Sequence, residues 1–232
     1  MINEYEGWKK FKDVNNDFFS YLDELQTMDI ETKDFLYHFP VFVGYVNMSR
    51  FLFLYDLYKK VNELNGHIAD VGTFKGATLL FFTKLVKLFE NYTSTQVHGF
   101  DWFMGMNPDA GANSTYKGDY ETLLKLIKLQ KLEDISIVHK MDITKELRGY
   151  FEQHPYLRYK IVLIDCGIKE VLDSALEHFW PRLVPGGILI MDHYNAEVSK
   201  DESEIVEKYI GSNYVRQVSF SRSPTCYVVK EK

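Results

Sequence analysis

The chain has 232 residues, 46% of them hydrophobic and 26% charged, which suits one globular domain with an appendage and a full core. A formal net charge of −6, with no basic stripe, argues against a nucleic-acid backbone as the main partner. Cys166 and Cys226 imply no disulfide framework, and the opening Met1-Ile2-Asn3-Glu4-Tyr5-Glu6 lacks a secretion signal, so a cytoplasmic protein is expected.

From Trp8 to Val61 the pattern is helical and rich in aromatics. Phe11, Val14, Phe18, Tyr21, Leu22 and Leu25 predict an amphipathic first helix. The stretch from Phe35 to Leu57 is more apolar still, but Pro40, Gly44, Asn47, Arg50 and Asp56 interrupt it, which argues against a membrane span. Residues 1–60 are therefore read as a helical cap that packs on a sheet. They could also serve as a lid or a subunit interface, and so much aromatic surface predicts a homodimer or larger homo-oligomer.

Ile68-Ala69-Asp70-Val71-Gly72-Thr73-Phe74-Lys75-Gly76-Ala77-Thr78 opens a second unit, residues 61–232. An apolar strand ends in an acid, a glycine-punctuated turn follows, and a helical pattern begins. Gly72 is expected to let a ligand approach the backbone, and Gly76 to let the helix start where a side chain would obstruct. Phe74 occupies the second glycine position of a dinucleotide fingerprint, so a pyrophosphate cradle is not expected. An acid followed by G-x-x-x-G instead suits a ligand with a charged amino group, such as S-adenosylmethionine.

Gln96 to Asp101 reads as a second strand ending in an acid, placed to accept hydrogen bonds from ribose hydroxyls or to cap a loop. A polar loop from Phe103 to Gly118 contains Asn107, Pro108, Asp109, Gly111 and Asn113, and loops of that length are usually functional or disordered. After a helix from Tyr120, a third strand (Ile135-Ser136-Ile137-Val138) leads to Met141-Asp142-Ile143. Asp142 either meets an adenine amino group or caps the next helix.

Lys160-Ile161-Val162-Leu163-Ile164 is an unbroken apolar run, hence a buried parallel strand, and Asp165 closes it. A helix carrying Leu172, Ala175, Leu176 and Phe179 stops at Pro181, and Val184-Pro185-Gly186-Gly187 reads as a turn. Ile188-Leu189-Ile190-Met191 is a further buried strand, ending in Asp192-His193. Neighbouring strands thus deliver Asp165, Asp192 and His193 to one sheet edge. Those groups can bind a divalent cation, form an acid-oriented histidine base, or cap loops. Tyr214 to Val218 and Cys226 to Val229 read as a closing antiparallel pair.

The chain resembles the class I S-adenosylmethionine-dependent methyltransferases, and more closely is similar to the macrocin O-methyltransferase family, which acts on sugar hydroxyls. The resemblance is carried by Asp70 to Gly76, Gly99-Phe100-Asp101-Trp102-Phe103, Ile164-Asp165-Cys166 through Ala175-Leu176-Glu177, Trp180 through Gly187, and Met191-Asp192-His193-Tyr194. It implies an α/β, Rossmann-like sheet of seven strands with helices on both faces and the helical cap at the N-terminus. It implies S-adenosylmethionine held by Asp70, Gly72, Thr73, Gly76, Asp101, Trp102, Asp142 and Ile143. It also implies Mg2+ on Asp165, Asp192 and His193, and a small-molecule sugar or natural-product acceptor.

The family's acidic motif has Asp-x-Asp-Leu-Tyr where this chain has Asp165-Cys166-Gly167-Ile168-Lys169, so the usual base is a glycine. His193 is the leading replacement and Lys169 the second. As base, His193 cannot also bind metal through the same nitrogen. The missing acid also motivates an alternative, a catalytically idle methyltransferase fold serving as a binding or scaffold protein.

Overall fold

The computed structural model describes residues 12–106, 114–196, 199–211, 214–221 and 223–231. Its centre is a seven-stranded sheet in the order β3-β2-β1-β4-β5-β7-β6. The strands are β1 (His67–Val71), β2 (Val97–Asp101), β3 (Ser136–Lys140), β4 (Tyr159–Ile164), β5 (Leu183–Met191), β6 (Arg216–Gln217) and β7 (Cys226–Val229). The first five run parallel, while β7 is antiparallel to both β5 and β6. The strand order reverses beside β1, between β2 and β4. In open α/β sheets, ligands bind at that switch point, beyond the carboxyl ends of the strands.

The apolar runs of β1 and β4 fit their place, because central parallel strands are covered on both faces. On one face pack α4 (Tyr45–Val61), α5 (Ala77–Phe89) and α6 (Tyr120–Leu129), through Phe53, Leu57, Leu79, Phe82 and Leu123. On the other pack α7 (Ile143–Gln153), α8 (Lys169–Phe179) and α9 (Lys200–Tyr209), through Leu147, Phe151, Leu172, Phe179 and Ile205. Helices on both faces were the expectation. The α9 helix has no counterpart in the sequence reading, since its short polar repeat is only weakly apolar.

One expectation changes. Val184 to Gly187 does not turn the chain: it is an irregular stretch inside β5, where the register against β4 slips and Gly186 takes a φ of +81°. Gly186 N–H still donates to Lys230 O, so a bulge and not a loop results. Of the helices in the N-terminal segment, α4 packs most deeply, with Leu54, Leu57, Tyr58 and Val61 buried in the main core. The cap proper is α1 (Lys12–Gln26), α2 (Thr32–Tyr37) and α3 (Phe39–Phe42), largely exposed. Trp8, Phe11 and the loop residues Asn107, Pro108, Asp109, Gly111 and Asn113 lie outside the described residues. No helix among those described is long and apolar enough to cross a membrane.

Candidate active site

The carboxyl end of β1 carries Asp70, 1% exposed, whose Oδ2 has no hydrogen-bond partner among the described residues. Burial, reinforced by the negative charge of Asp165 and opposed by Arg50, pushes its carboxyl up to about 7. A buried acid with an unused oxygen at such a crevice can accept a cationic donor.

The loop after β1 is held open by its own backbone. Thr73 Oγ1 donates to Asp70 O at 2.9 Å. Phe74 has a φ of +51°, and its N–H donates to Asp101 Oδ2 at 2.7 Å. Phe103, with a φ of +60°, donates its N–H to Asp101 Oδ1 at 2.6 Å. Aromatic residues in the left-handed region are strained and collect at functional sites. Here the strain aims two amides at one carboxylate. Burial still raises the Asp101 carboxyl, and the two amides act against that. Asp101 is therefore fixed at the end of β2 with its second lone pairs available.

Gly72 also meets a packing demand. Its φ is +91°, and a Cβ there would run into the backbone carbonyl of Asp165, just past β4. It serves the close approach of two strand ends, so Gly72→Val would distort the sheet before it obstructed a ligand. Gly76, with a φ of +84°, starts α5, and a Cβ there would strike Leu123 of α6.

Asp142 is seen as the N-cap of α7: its Oδ1 accepts from Thr144 N–H at 3.0 Å and from Thr144 Oγ1, and its Oδ2 from Lys145 Nζ at 2.7 Å. The capping alternative is thus the one observed, and little of this carboxylate remains for an adenine amino group. Ile143, the first residue of α7, is buried in the core, and Trp102 lies half-buried just past β2.

Asp165, Asp192 and His193 do come together: one ligating atom from each lies within 4.8 Å of the others. Asp192 is buried, and His193 Nε2 lies 3.4 Å from its Oδ2. Ser223 Oγ donates to the same oxygen at 2.5 Å. Between the acids stands Arg50 from α4, with Nη1 2.8 Å from Asp192 Oδ1 and Nη2 3.0 Å from Asp165 Oδ2. Burial works against both the guanidinium and Asp192, but their mutual attraction wins, so Arg50 stays charged and Asp192 ionised. Burial and Asp192 together raise the Asp165 carboxyl.

Lys169 is corrected as a base. Its Nζ pairs with Asp201 and Glu204 of α9, each at 3.1 Å, and these contacts raise its pKa when a base would need it lowered. Glu202 of α9, buried and pushed well up by that burial, accepts the His193 N–H at 2.9 Å.

The profile of the methyltransferase-domain family matches residues 69–194, from β1 to just past β5. The chain belongs to this family. The methyltransferase domain is of the class I, S-adenosylmethionine-dependent kind, with its glycine loop and acid-terminated strands on the matched stretch. A curated relative, the 8-demethyl-8-(2,3-dimethoxy-alpha-L-rhamnosyl)-tetracenomycin-C 4'-O-methyltransferase of Streptomyces olivaceus, is 27% identical over 148 residues, covering 59% of this chain and 56% of that protein. The match spans little more than half of that relative. Among solved structures, CalS11, a calicheamicin methyltransferase, superposes with a TM-score of 0.77 at 20% identity, covering 90% of each chain. The O-methyltransferase NovP superposes at 0.66 and 15% identity, covering 79% of this chain and 80% of that one. At these identities the two structures are alike in fold.

Sequence reasoning missed Arg50, Ser223 and Glu202, all outside the stretch that the family profile matches. Arg50 alone carried a signal, as a charge in the most apolar stretch of the chain. Such a residue has to find a partner when its helix is buried.

Proposed function

We propose that this chain transfers a methyl group from S-adenosylmethionine to a hydroxyl of a sugar or glycosylated metabolite. The observation that carries the reading is the buried Asp70 carboxylate with its unused Oδ2, at the switch point of the sheet. Bound S-adenosylmethionine would supply a methyl group on a positively charged sulfur. Asp70 offers a carboxylate to the ligand's cationic amino end, and Asp101 offers its remaining lone pairs to ribose hydroxyls. Trp102 and the Ile143 backbone flank the place for the base.

The Asp165–Asp192–His193 edge neighbours that crevice and supplies acceptor chemistry. His193 takes the hydroxyl proton at Nε2, and the resulting imidazolium is stabilised by Asp192 Oδ2, 3.4 Å away. Asp165 orients the acceptor. Holding hydroxyl and methyl in line supplies much of the acceleration. The curated relative, named for methylation at a rhamnosyl hydroxyl, supports a deoxysugar acceptor.

Calorimetry with S-adenosylmethionine, then assay of nucleotide-sugars and rhamnosylated metabolites for methyl transfer, tests the reading. Binding with turnover on a sugar hydroxyl is expected. The glycine at 167, where the resemblance places an acid, motivates a second reading as an idle binding protein. Cofactor binding with no transfer to any acceptor would select it.

We also infer self-association through the cap. Leu36, Tyr37, Val41 and Tyr45 are 71–82% exposed on neighbouring turns, more apolar surface than a monomer usually leaves in one place. Sedimentation at micromolar concentration should give a dimer or larger. A Tyr37→Ser/Val41→Ser double variant should shift it to monomer, and a monomeric parent would refute the inference.

A further inference from the structure

We propose that Arg50 is the resident cation of the acceptor site, standing where the resemblance places Mg2+, and that this methyltransferase works without a divalent metal. The inference rests on the proposed methyl transfer only for its kinetic test. Its binding tests stand alone.

Arg50 reaches from α4 over the carboxyl ends of β4 and β5. Its Nη1 donates to Asp192 Oδ1 at 2.8 Å and Ser223 Oγ at 3.1 Å. Its Nη2 donates to Asp165 Oδ2 at 3.0 Å and Thr78 Oγ1 at 3.3 Å. The four terminal N–H bonds are thus all committed inside the protein. A guanidinium with that many fixed partners in a mostly buried setting is a built part of the site, since a planar fork matches two carboxylates in a way few other groups can.

The same contacts leave poor terms for Mg2+. That ion asks for near-octahedral oxygen ligands at about 2.0–2.1 Å and gives up its waters reluctantly. Here one oxygen of each carboxylate already faces the guanidinium, and the third group is an imidazole, a better ligand for softer metals. A divalent ion among these atoms would also lie within a few ångströms of a fixed positive charge. Charge balance agrees with the glycine at 167. An arginine brings one positive charge where Mg2+ brings two, and so calls for one carboxylate fewer.

With no terminal N–H left for the acceptor, Arg50 is a positioning residue. It sets the rotamers of Asp165 and Asp192, and through Asp192 the imidazole of His193. It also ties α4 to the site, so the acceptor edge is incomplete without that helix.

Electron paramagnetic resonance with Mn2+ as probe, on the full chain, decides the point. The parent should bind no Mn2+ at millimolar concentration, and EDTA should leave its turnover unchanged. Arg50→Met removes the charge but keeps the bulk. It should gain Mn2+ binding and a Mg2+-dependent rise in melting temperature, and lose turnover at saturating S-adenosylmethionine. Arg50→Lys should recover part of that turnover, again independently of Mg2+. Mn2+ binding to the parent, with turnover lost in EDTA and restored by Mg2+, would overturn the proposal. If Arg50→Met does not fold, the parent's Mn2+ and EDTA measurements still decide. If no acceptor is methylated, the functional reading fails, and Mn2+ binding alone judges the role of Arg50.

Discussion

His193→Asn is expected to lower turnover by roughly two to four orders of magnitude, the usual contribution of a positioned general base. Affinity for S-adenosylmethionine should be nearly unchanged, because the role proposed for His193 is towards the acceptor. Excess Mg2+ should not restore the rate, which separates loss of a base from loss of a metal ligand. A second substitution sharpens the test. A Cβ at Gly167 meets nothing within 4 Å, so Gly167→Asp can be added without a clash. If that position faces the acceptor, as the resemblance implies, the double variant His193→Asn/Gly167→Asp should regain part of the lost turnover. Full activity in His193→Asn alone would remove the imidazole from the mechanism. Lys169 is not the fallback, since its ammonium is tied to Asp201 and Glu204.

Asp70→Asn is expected to move binding and stability in opposite directions. Removing one partner of a buried charge pair costs about 2–5 kcal/mol, which is a loss of roughly 30- to several-thousand-fold in S-adenosylmethionine affinity. The free protein should nevertheless become more stable at neutral pH. The carboxyl sits near 3.8 when unfolded and at about 7 when folded. Between those values the folded state keeps a proton that the unfolded chain has released, so the parent loses stability as pH rises from about 4 to 7. Asparagine does not titrate. The advantage of the variant should therefore grow across that window and level off above it. Each tenfold change in proton affinity is worth about 1.4 kcal/mol, so the upper bound is about 4 kcal/mol. Urea unfolding of both proteins at pH 4, 6 and 8 checks the sign, and a variant less stable at every pH would refute it. Cofactor affinity of the parent should rise with pH up to neutrality, because binding a cation expels the proton from Asp70.

Much of the scaffold was legible in the chain itself. The apolar runs of β1, β4 and β5 could only be strands covered on both faces, and an acid at or just past the end of each marked one edge of the sheet. Asp70, Asp165 and Asp192 follow from that rule, as does Asp101 at the end of β2, and His193 comes with them as the neighbour of Asp192. It works because a strand end is a local feature, set by where the apolar run stops and the polar turn begins.

What only the tertiary structure decided concerns contacts between residues far apart in the chain. Gly72 is required by the Asp165 carbonyl, 93 residues later. Lys169 was a plausible base until α9, whose pattern is weakly apolar, brought Asp201 and Glu204 against it. Arg50 lies 115 residues from Asp165 and 142 from Asp192, on a helix that the sequence assigned to a separate cap. Periodicity reports which face of an element is buried. It does not report which charges meet when two elements close on each other, because that follows from the packing of the helices against the whole sheet.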